Sequence, residues 1–194
     1  TAKRLGAVVF VSDIRPAVKE QVESLGARFI DPPEVKEKPA ESGGYAKQVS
    51  DEFISAQRQQ ILNHLAEADV AICTAQVPGK KAPRLIDEDM LDQMRPGSVV
   101  VDLAVVQGGN CFGTKPMETI LRKGVRLIGA SELPSSVSNH ASSLYSRNLL
   151  ALLNPIITNG SVILNTDDEL INGALISQNG DIRYPEVFSL GGKD

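Results

Sequence analysis

The sequence predicts an α/β fold in which helices cover both faces of a parallel sheet, the doubly wound arrangement. Short apolar runs rich in valine and isoleucine occur at residues 8–11, 70–74, 98–103 and 125–128. Continuous runs without polar alternation are typical of strands buried on both faces of a parallel sheet. Helical or glycine-punctuated connections separate the runs, which favours right-handed crossovers between the strands.

The beginning of the chain predicts a strand–helix–strand unit. A last helical turn ends at Gly6, and the strand at 8–11 follows it. Proline suits the first position of a helix and glycine the position just beyond its end. Pro16 and Gly26 therefore delimit the helix, and the second strand is expected at 28–30.

The middle of the chain repeats this alternation. An amphipathic helix is expected over 53–66, and a second helix, capped by Asp87, is expected to run to Met94. The segment from Cys111 to Lys123 is interrupted by glycine and proline, so we expect it to be irregular.

The end of the chain changes character. Residues 144–153 predict a helix that Pro155 ends, and Asn179-Gly180 between two alternating segments predicts a β-hairpin. We therefore expect a sheet domain over residues 1–135. Residues 136–194 are expected to form an appended helix and hairpin.

Composition excludes several classes of function. The chain has 20 Lys and Arg against 24 Asp and Glu, a net charge of -4, so nucleic acid is not expected as a partner. Cys73 and Cys111 lack metal-ligand spacing, and His64 and His140 are scattered, so no metal site is predicted. No signal peptide or apolar run of membrane-spanning length is present, and we expect a reducing compartment.

Asp13 directly follows the first apolar run. In a dinucleotide-binding fold, the second strand ends in a carboxylate that accepts hydrogen bonds from the adenosine ribose. On this interpretation the sheet is Rossmann-like, and its first strand and glycine-rich turn are missing from the sequence. At this point an ordinary strand that ends in a solvated aspartate explains the residues equally well.

Two loops are candidates for contact with a ligand. Thr74 to Gly79 leave the end of a strand, where ligands bind in open parallel sheets. Residues 31–50 form a long connection in which Gly43-Gly44 precede Tyr45. This connection is either a flexible arm that folds over a ligand or a simple surface excursion.

Four segments together resemble one known family. They are Gly43-Gly44-Tyr45-Ala46-Lys47, Thr74 to Lys80, Val101-Asp102-Leu103-Ala104 with Gly108-Gly109-Asn110, and Leu133-Pro134-Ser135. Their order and spacing resemble the NAD(H)-binding domain I, in the alpha subunit, of proton-translocating NAD(P) transhydrogenase. Alanine dehydrogenases share this fold, so the resemblance alone leaves the reaction open.

The resemblance implies a set of cofactor-binding residues and no catalytic acid, base or nucleophile. Asp13 would hold the adenosine ribose, with Ile14 and Arg15 flanking the adenine. Tyr45 would be the tip of a loop that closes over NAD(H). The remaining residues would line the nucleotide's path (Thr74, Ala75, Pro78, Gly79) or lie near the nicotinamide (Leu103, Ala104, Asn110).

Val106 bears on the choice of reaction. Alanine dehydrogenases carry an acidic residue at this position of the resemblance, and oxidation of an amino acid needs a proton acceptor. Hydride exchange between two nicotinamides needs only close approach and orientation of the rings. The sequence thus favours a transhydrogenase, with an alanine dehydrogenase-like enzyme or a non-catalytic NAD-binding module as alternatives.

The resemblance also implies partners and a location. NADP(H) would be held on a partner domain, and a membrane domain of the same enzyme would couple hydride transfer to proton movement. A homodimer is expected, at the cytoplasmic face of the bacterial inner membrane or in the mitochondrial matrix. The chain is expected to be a fragment, inactive alone, whose residues 136–194 pack on the family's N-terminal domain.

Overall fold

The chain forms two compact units, Thr1–Ser131 and Glu132–Asp194. The computed structural model describes residues 1–15, 17–31, 51–77 and 79–183. Pro16 and Tyr45, to which the sequence assigns a helix start and a loop tip, lie outside the described residues.

The elements of the first unit alternate between strand and helix for most of its length. In chain order they are a 3₁₀ turn (Lys3–Leu5), β1 (Phe10–Ser12), α1 (Val18–Ser24), β2 (Arg28–Ile30), α2 (Asp51–Leu65), β3 (Val70–Cys73), α3 (Glu88–Leu91), β4 (Val99–Asp102), a second 3₁₀ turn (Val105–Gln107), β5 (Thr119–Arg122) and β6 (Val125–Gly129).

The strands pair mostly in parallel, as predicted. β1 pairs with β2, so that Val11 lies opposite Phe29. β3, β4 and β6 are parallel neighbours in the order β3-β4-β6-β5, and β5 runs antiparallel to β6 at the edge. The fold is therefore mixed α/β with a mostly parallel sheet.

The strand β5 corrects the expectation of an irregular segment up to Lys123. The positive φ angles of Lys123 (46°) and Gly124 (83°) form the two-residue turn that joins β5 to β6. A residue followed by glycine, both at positive φ, is the favoured connection of a tight hairpin. Lys123-Gly124 directly before the strand at 125–128 is the sequence signal that would have predicted this hairpin.

Burial of the strands also differs from expectation. Central β4 is buried as predicted, with Val100 fully inaccessible. The expectation of burial on both faces is wrong for β1 and β3, because Phe10 and Ile72 are exposed. Among the described residues, β1 pairs only with β2 and β3 only with β4, so each keeps one unpaired edge.

The third helix is shorter than predicted. α3 ends at Leu91, and Asp87, although it stands at the N-cap position, makes no side-chain cap hydrogen bond. Its carboxylate instead lies 3.1 Å from Nη1 of Arg58, a residue of α2. A long-range ion pair has taken the side chain that local capping would use.

The segment before β5 approaches β6 at backbone contact. Gly129 donates its N–H to the Glu118 carbonyl, and its own carbonyl accepts the Met117 N–H. A Cβ atom at Gly129 would lie 1.8 Å from the Lys115 carbonyl oxygen. Glycine is required here because of the contact distance, not because of an unusual φ.

The core of the first unit lies against the β3–β6 sheet. Buried apolar side chains from the helices and strands form one cluster: Leu65, Cys73, Ile86, Met90, Leu91, Met94, Val100, Cys111, Val125 and Leu127.

The second unit contains the predicted helix and hairpin. Its elements are α4 (Leu133–Ser136), α5 (Ser138–Leu153), β7 (Ile157–Thr158), β8 (Ser161–Val162), α6 (Glu169–Ala174), β9 (Ser177–Gln178) and β10 (Asp181–Ile182). Asn179-Gly180 joins β9 to β10, and Asn159-Gly160 joins β7 to β8 in a second hairpin that was not expected. The predicted packing of residues 136–194 on another domain stays a prediction.

Two leucines of the β5–β6 hairpin test where the core lies. Leu127 is 1% exposed and Leu121 is 72% exposed. We expect Leu127→Ala to lower the free energy of unfolding by about 2–5 kcal/mol, through lost burial and the cavity left behind. Leu121→Ala should change it by less than about 0.5 kcal/mol. Urea unfolding measures both, and equal effects would contradict this core assignment.

Candidate functional site

The end of β1 carries Asp13, Ile14 and Arg15, as the sequence predicts. Asp13 accepts three hydrogen bonds from Arg15: backbone N–H to Oδ1 at 2.9 Å, Nε to Oδ1 at 3.0 Å and Nη2 to Oδ2 at 2.8 Å. Burial on its own would raise the pKa of the Asp13 carboxyl, but the contacts with Arg15 outweigh it and hold the pKa below its ordinary value. The carboxylate is therefore ionised at neutral pH.

Asp102 ends β4 and is fully buried. Its Oδ1 accepts the Ala104 N–H at 2.9 Å, and its Oδ2 accepts the Cys111 N–H at 3.0 Å and the Thr114 hydroxyl at 2.8 Å. One side chain thus holds both ends of the loop from residue 103 to 114. In the sequence, Asp102 stands within a family motif but has no predicted role.

Gly109 allows this loop to close. Its φ is +74°, in the left-handed region, and a Cβ atom there would lie 2.8 Å from Oδ2 of Asp102. Larger residues would therefore be both strained and in collision with the carboxylate.

Asn110 ties the loop after β4 to the loop after β3. Its Oδ1 accepts the Ala75 N–H at 3.0 Å, and its Nδ2 donates to the carbonyls of Ala75 (2.9 Å) and Pro83 (2.8 Å). The side chain is fully buried, and both of its N–H donors are used. A direct contact to a cofactor would have to replace one of these bonds or use the remaining lone pair on Oδ1.

The two loops share further cross-links. Gln76 donates from Nε2 to the Leu103 carbonyl at 3.0 Å, and the Ala82 N–H donates to the Gln107 carbonyl at 2.8 Å. The Lys81 side chain lies over Gly108, where a Cβ atom would approach it to 2.8 Å. The two loops therefore form a single interlocked surface at the carboxyl edge of the sheet.

The structure brings some predicted site residues together and not others. Ala75, Leu103, Ala104 and Asn110 belong to the interlocked loops, where Thr74 and Gly79 are exposed. Asp13, Ile14 and Arg15 belong to the other sheet, and no hydrogen bond among the described residues joins them to the loops. Pro78 and Tyr45 lie outside the described residues.

Val106 is 70% exposed, in the 3₁₀ turn that follows β4. It presents an apolar surface at the carboxyl edge. The nearby cations are Lys81, over Gly108, and Arg84, whose Nη2 lies 3.5 Å from the Gly108 carbonyl. Neither serves as a proton acceptor at neutral pH, because both side chains are ordinarily protonated.

The two cysteines are buried beneath these loops. Burial raises the pKa of the Cys73 and Cys111 thiols to about 12, and the charge of nearby Asp102 contributes in the same direction. Both are therefore protonated at neutral pH and unsuited to act as nucleophiles.

The described part of the chain offers neither a metal centre nor a membrane span. Residues 1–15, 17–31, 51–77 and 79–183 contain no group of three or more His, Cys, Asp or Glu side chains able to hold a metal ion. Within the same ranges, no helix combines the length and apolar character needed to cross a membrane.

A family model, Alanine dehydrogenase/PNT, C-terminal domain, matches residues 1–185. The chain belongs to this family. The resemblance that the sequence motifs indicated is thereby confirmed, and the fold, the strand-end loops and the glycine positions described above are those of a family member.

Individual relatives narrow the comparison. The chain is 43% identical over 194 residues to the first portion of NAD(P) transhydrogenase subunit alpha of Rhodospirillum rubrum, covering 98% of this chain and 50% of that protein. The crystal structure of transhydrogenase from Sinorhizobium meliloti matches with a TM-score of 0.71 and 40% identity, over 94% of this chain and 47% of that one. A structure of L-alanine dehydrogenase matches with a TM-score of 0.62 and 25% identity, over 98% and 48%. The chain thus spans about half the length of each.

Replacement of Asp102 tests whether its carboxylate holds the loop. In Asp102→Asn an amide nitrogen replaces one acceptor oxygen, so at least one buried donor among Ala104, Cys111 and Thr114 loses its acceptor. Since such a donor costs about 1–3 kcal/mol, we expect the free energy of unfolding to fall by that amount.

The control is Asp89→Asn, because Asp89 is an exposed aspartate of α3. Its effect should stay within about 0.5 kcal/mol. Urea unfolding of both variants at one pH measures the difference, and equal free energies of unfolding for the two variants would refute this role.

Proposed function

We propose that the chain is the NAD(H)-binding portion of a proton-translocating transhydrogenase, which passes hydride between NADH and NADP⁺ held on a partner domain. The observation that carries the proposal is the 43% identity to a transhydrogenase alpha subunit, spread over almost the whole chain. The lower identity of 25% to an alanine dehydrogenase structure supports the same choice.

We further propose that the two sheets are parts of one Rossmann-like, doubly wound sheet. In the common order 3-2-1-4-5-6, the first strand lies between the second and the fourth. The pairings β2-β1 and β3-β4-β6-β5 fit this order if a further strand lies between β1 and β3. The exposed side chains of Phe10 and Ile72, on the two strands that would flank it, support this arrangement.

Within this sheet, NAD(H) would lie along the carboxyl edges of the strands. Asp13 would hold the adenosine ribose, and Thr74, Ala75, Pro78 and Gly79 would follow the nucleotide's path. Leu103 and Ala104 would lie near the nicotinamide. Asn110 would act there by holding the backbone of Ala75 in place, because its amide is already engaged.

Val106 supports hydride exchange over oxidation of an amino acid. The resemblance puts an acidic residue of alanine dehydrogenases at this position, whereas here the exposed side chain is apolar. Transfer between two nicotinamides needs no proton acceptor, but it needs reacting atoms about 3–3.5 Å apart with water excluded. An apolar side chain beside the ring helps exclude that water.

The wider assembly follows from the same proposal. The NADP(H)-binding domain would meet this chain at the surface around residues 104–110, with the Tyr45 loop at its margin. A membrane domain of the same enzyme and a second copy of this subunit would complete a peripheral complex at the cytoplasmic face of a bacterial inner membrane, or in the mitochondrial matrix.

Isotope transfer tests the reaction. The natural full-length protein, mixed with its NADP-binding domain and C4-deuterated NADH, should yield NADPH that carries the deuterium, because transfer is direct from ring to ring. Mass spectrometry of the NADPH formed in ordinary water measures the label. Loss of deuterium to solvent excludes direct transfer, NADH binding without any transfer favours a non-catalytic module, and NAD-dependent oxidation of alanine favours a dehydrogenase.

Cofactor choice tests the role of Asp13. A carboxylate pairs with ribose hydroxyls and repels the 2′-phosphate of NADP(H), so the natural full-length protein should bind NADH more tightly than NADPH. Asp13→Asn should weaken NADH binding by about tenfold, the effect of losing hydrogen bonds to a charged acceptor. Asp31→Asn, at the end of β2, is the matched control and should leave the affinity unchanged. Calorimetric titration decides, and equal affinities for the two cofactors contradict the assignment.

A further inference from the structure

The Asp13 carboxylate has little hydrogen-bonding capacity left for a ligand. Its Oδ1 accepts both the backbone N–H and Nε of Arg15, and its Oδ2 accepts Nη2. The two oxygens of a carboxylate offer about four acceptor positions. Arg15 therefore occupies all but one of them, whereas a ribose that presents two hydroxyl donors needs two.

We propose that Arg15 is an intramolecular competitor for the adenosine ribose of NAD(H), whose guanidinium must leave Asp13 before the ribose can bind. The inference rests on the proposed function, because it concerns the same ribose site. It adds a residue that lowers affinity to a site otherwise described by the groups that raise it.

The geometry allows the guanidinium to leave. The Arg15 side chain is 56% exposed and that of Asp13 is 22% exposed, so the guanidinium can move into solvent while the carboxylate stays in place. The hydrogen bond from the Arg15 backbone N–H remains and keeps the carboxylate oriented. Exposed ion pairs are weak, so removing this one should shift a competing equilibrium by about twofold to fivefold.

The pairing also affects discrimination between the two cofactors. While Arg15 is paired, it neutralises the charge that repels a 2′-phosphate, and a released guanidinium can itself pair with that phosphate. Removing Arg15 should therefore tighten NADH binding and weaken NADPH binding at the same time. A residue that only stabilised the fold would move both affinities in one direction.

A double-mutant cycle on the natural full-length protein separates competition from direct contact with the cofactor. Calorimetry would give the affinities for NADH and NADPH of the unsubstituted protein, Arg15→Ala, Asp13→Asn and the double variant. Arg4→Ala, an exposed arginine of the Lys3–Leu5 turn, is the matched control and should leave both affinities unchanged. Arg15→Lys keeps the charge but loses the two-pronged contact, and should give an intermediate NADH affinity.

The expected result is that Arg15→Ala tightens NADH binding by about twofold to fivefold when Asp13 is present. The same change should have no such effect in the Asp13→Asn background. Weaker or unchanged NADH binding in Arg15→Ala, relative to its effect in the Asp13→Asn background, overturns the competition. Failure of the proposed function is distinct: in that case the unsubstituted protein does not bind NADH, or Asp13→Asn leaves NADH affinity unchanged, and both conclusions fall.

Discussion

The carboxyl edge of the sheet depends on the buried carboxylate of Asp102. Two backbone N–H groups and one hydroxyl satisfy it, all from the loop that follows β4. A buried charge is costly unless its hydrogen bonds are complete, so any other path of this loop would leave the charge unsatisfied. This requirement places Gly109 against the carboxylate and turns Asn110 toward Ala75, and the neighbouring loop then follows.

The parts of the fold that could be predicted are those with a local cause. Valine-rich runs located β4 and β6, and Asn179-Gly180 located the last hairpin, because hydrophobic pattern and turn chemistry act within a few residues. The short α3 and the uncapped Asp87 could not be predicted, because Arg58 reaches that carboxylate from another helix. The edge strand β5 had a local signal in Lys123-Gly124, which its glycine-rich surroundings obscured.

The candidate site divides in the same way. Asp13 could be identified from its place at the end of a strand, and the exposed Val106 from its place in the loop after β4. The engagement of Asn110 could not be predicted, since its bonds to Ala75 span 35 residues and the bond from Gln76 to Leu103 spans 27. Residues that position a site through such long-range bonds resemble ordinary loop residues in the sequence, whereas those that would touch a ligand follow a strand end.

The contact at Gly129 has a consequence for how this sequence can change over evolutionary time. With a Lys115 carbonyl oxygen where a first side-chain atom would lie, no single substitution is accommodated unless the crossing segment is rebuilt together with it. Neighbouring exposed positions such as Leu121 are free to drift. Position 129 is therefore a fixed point by which diverged members of the family can be aligned after most of the surrounding residues have been replaced.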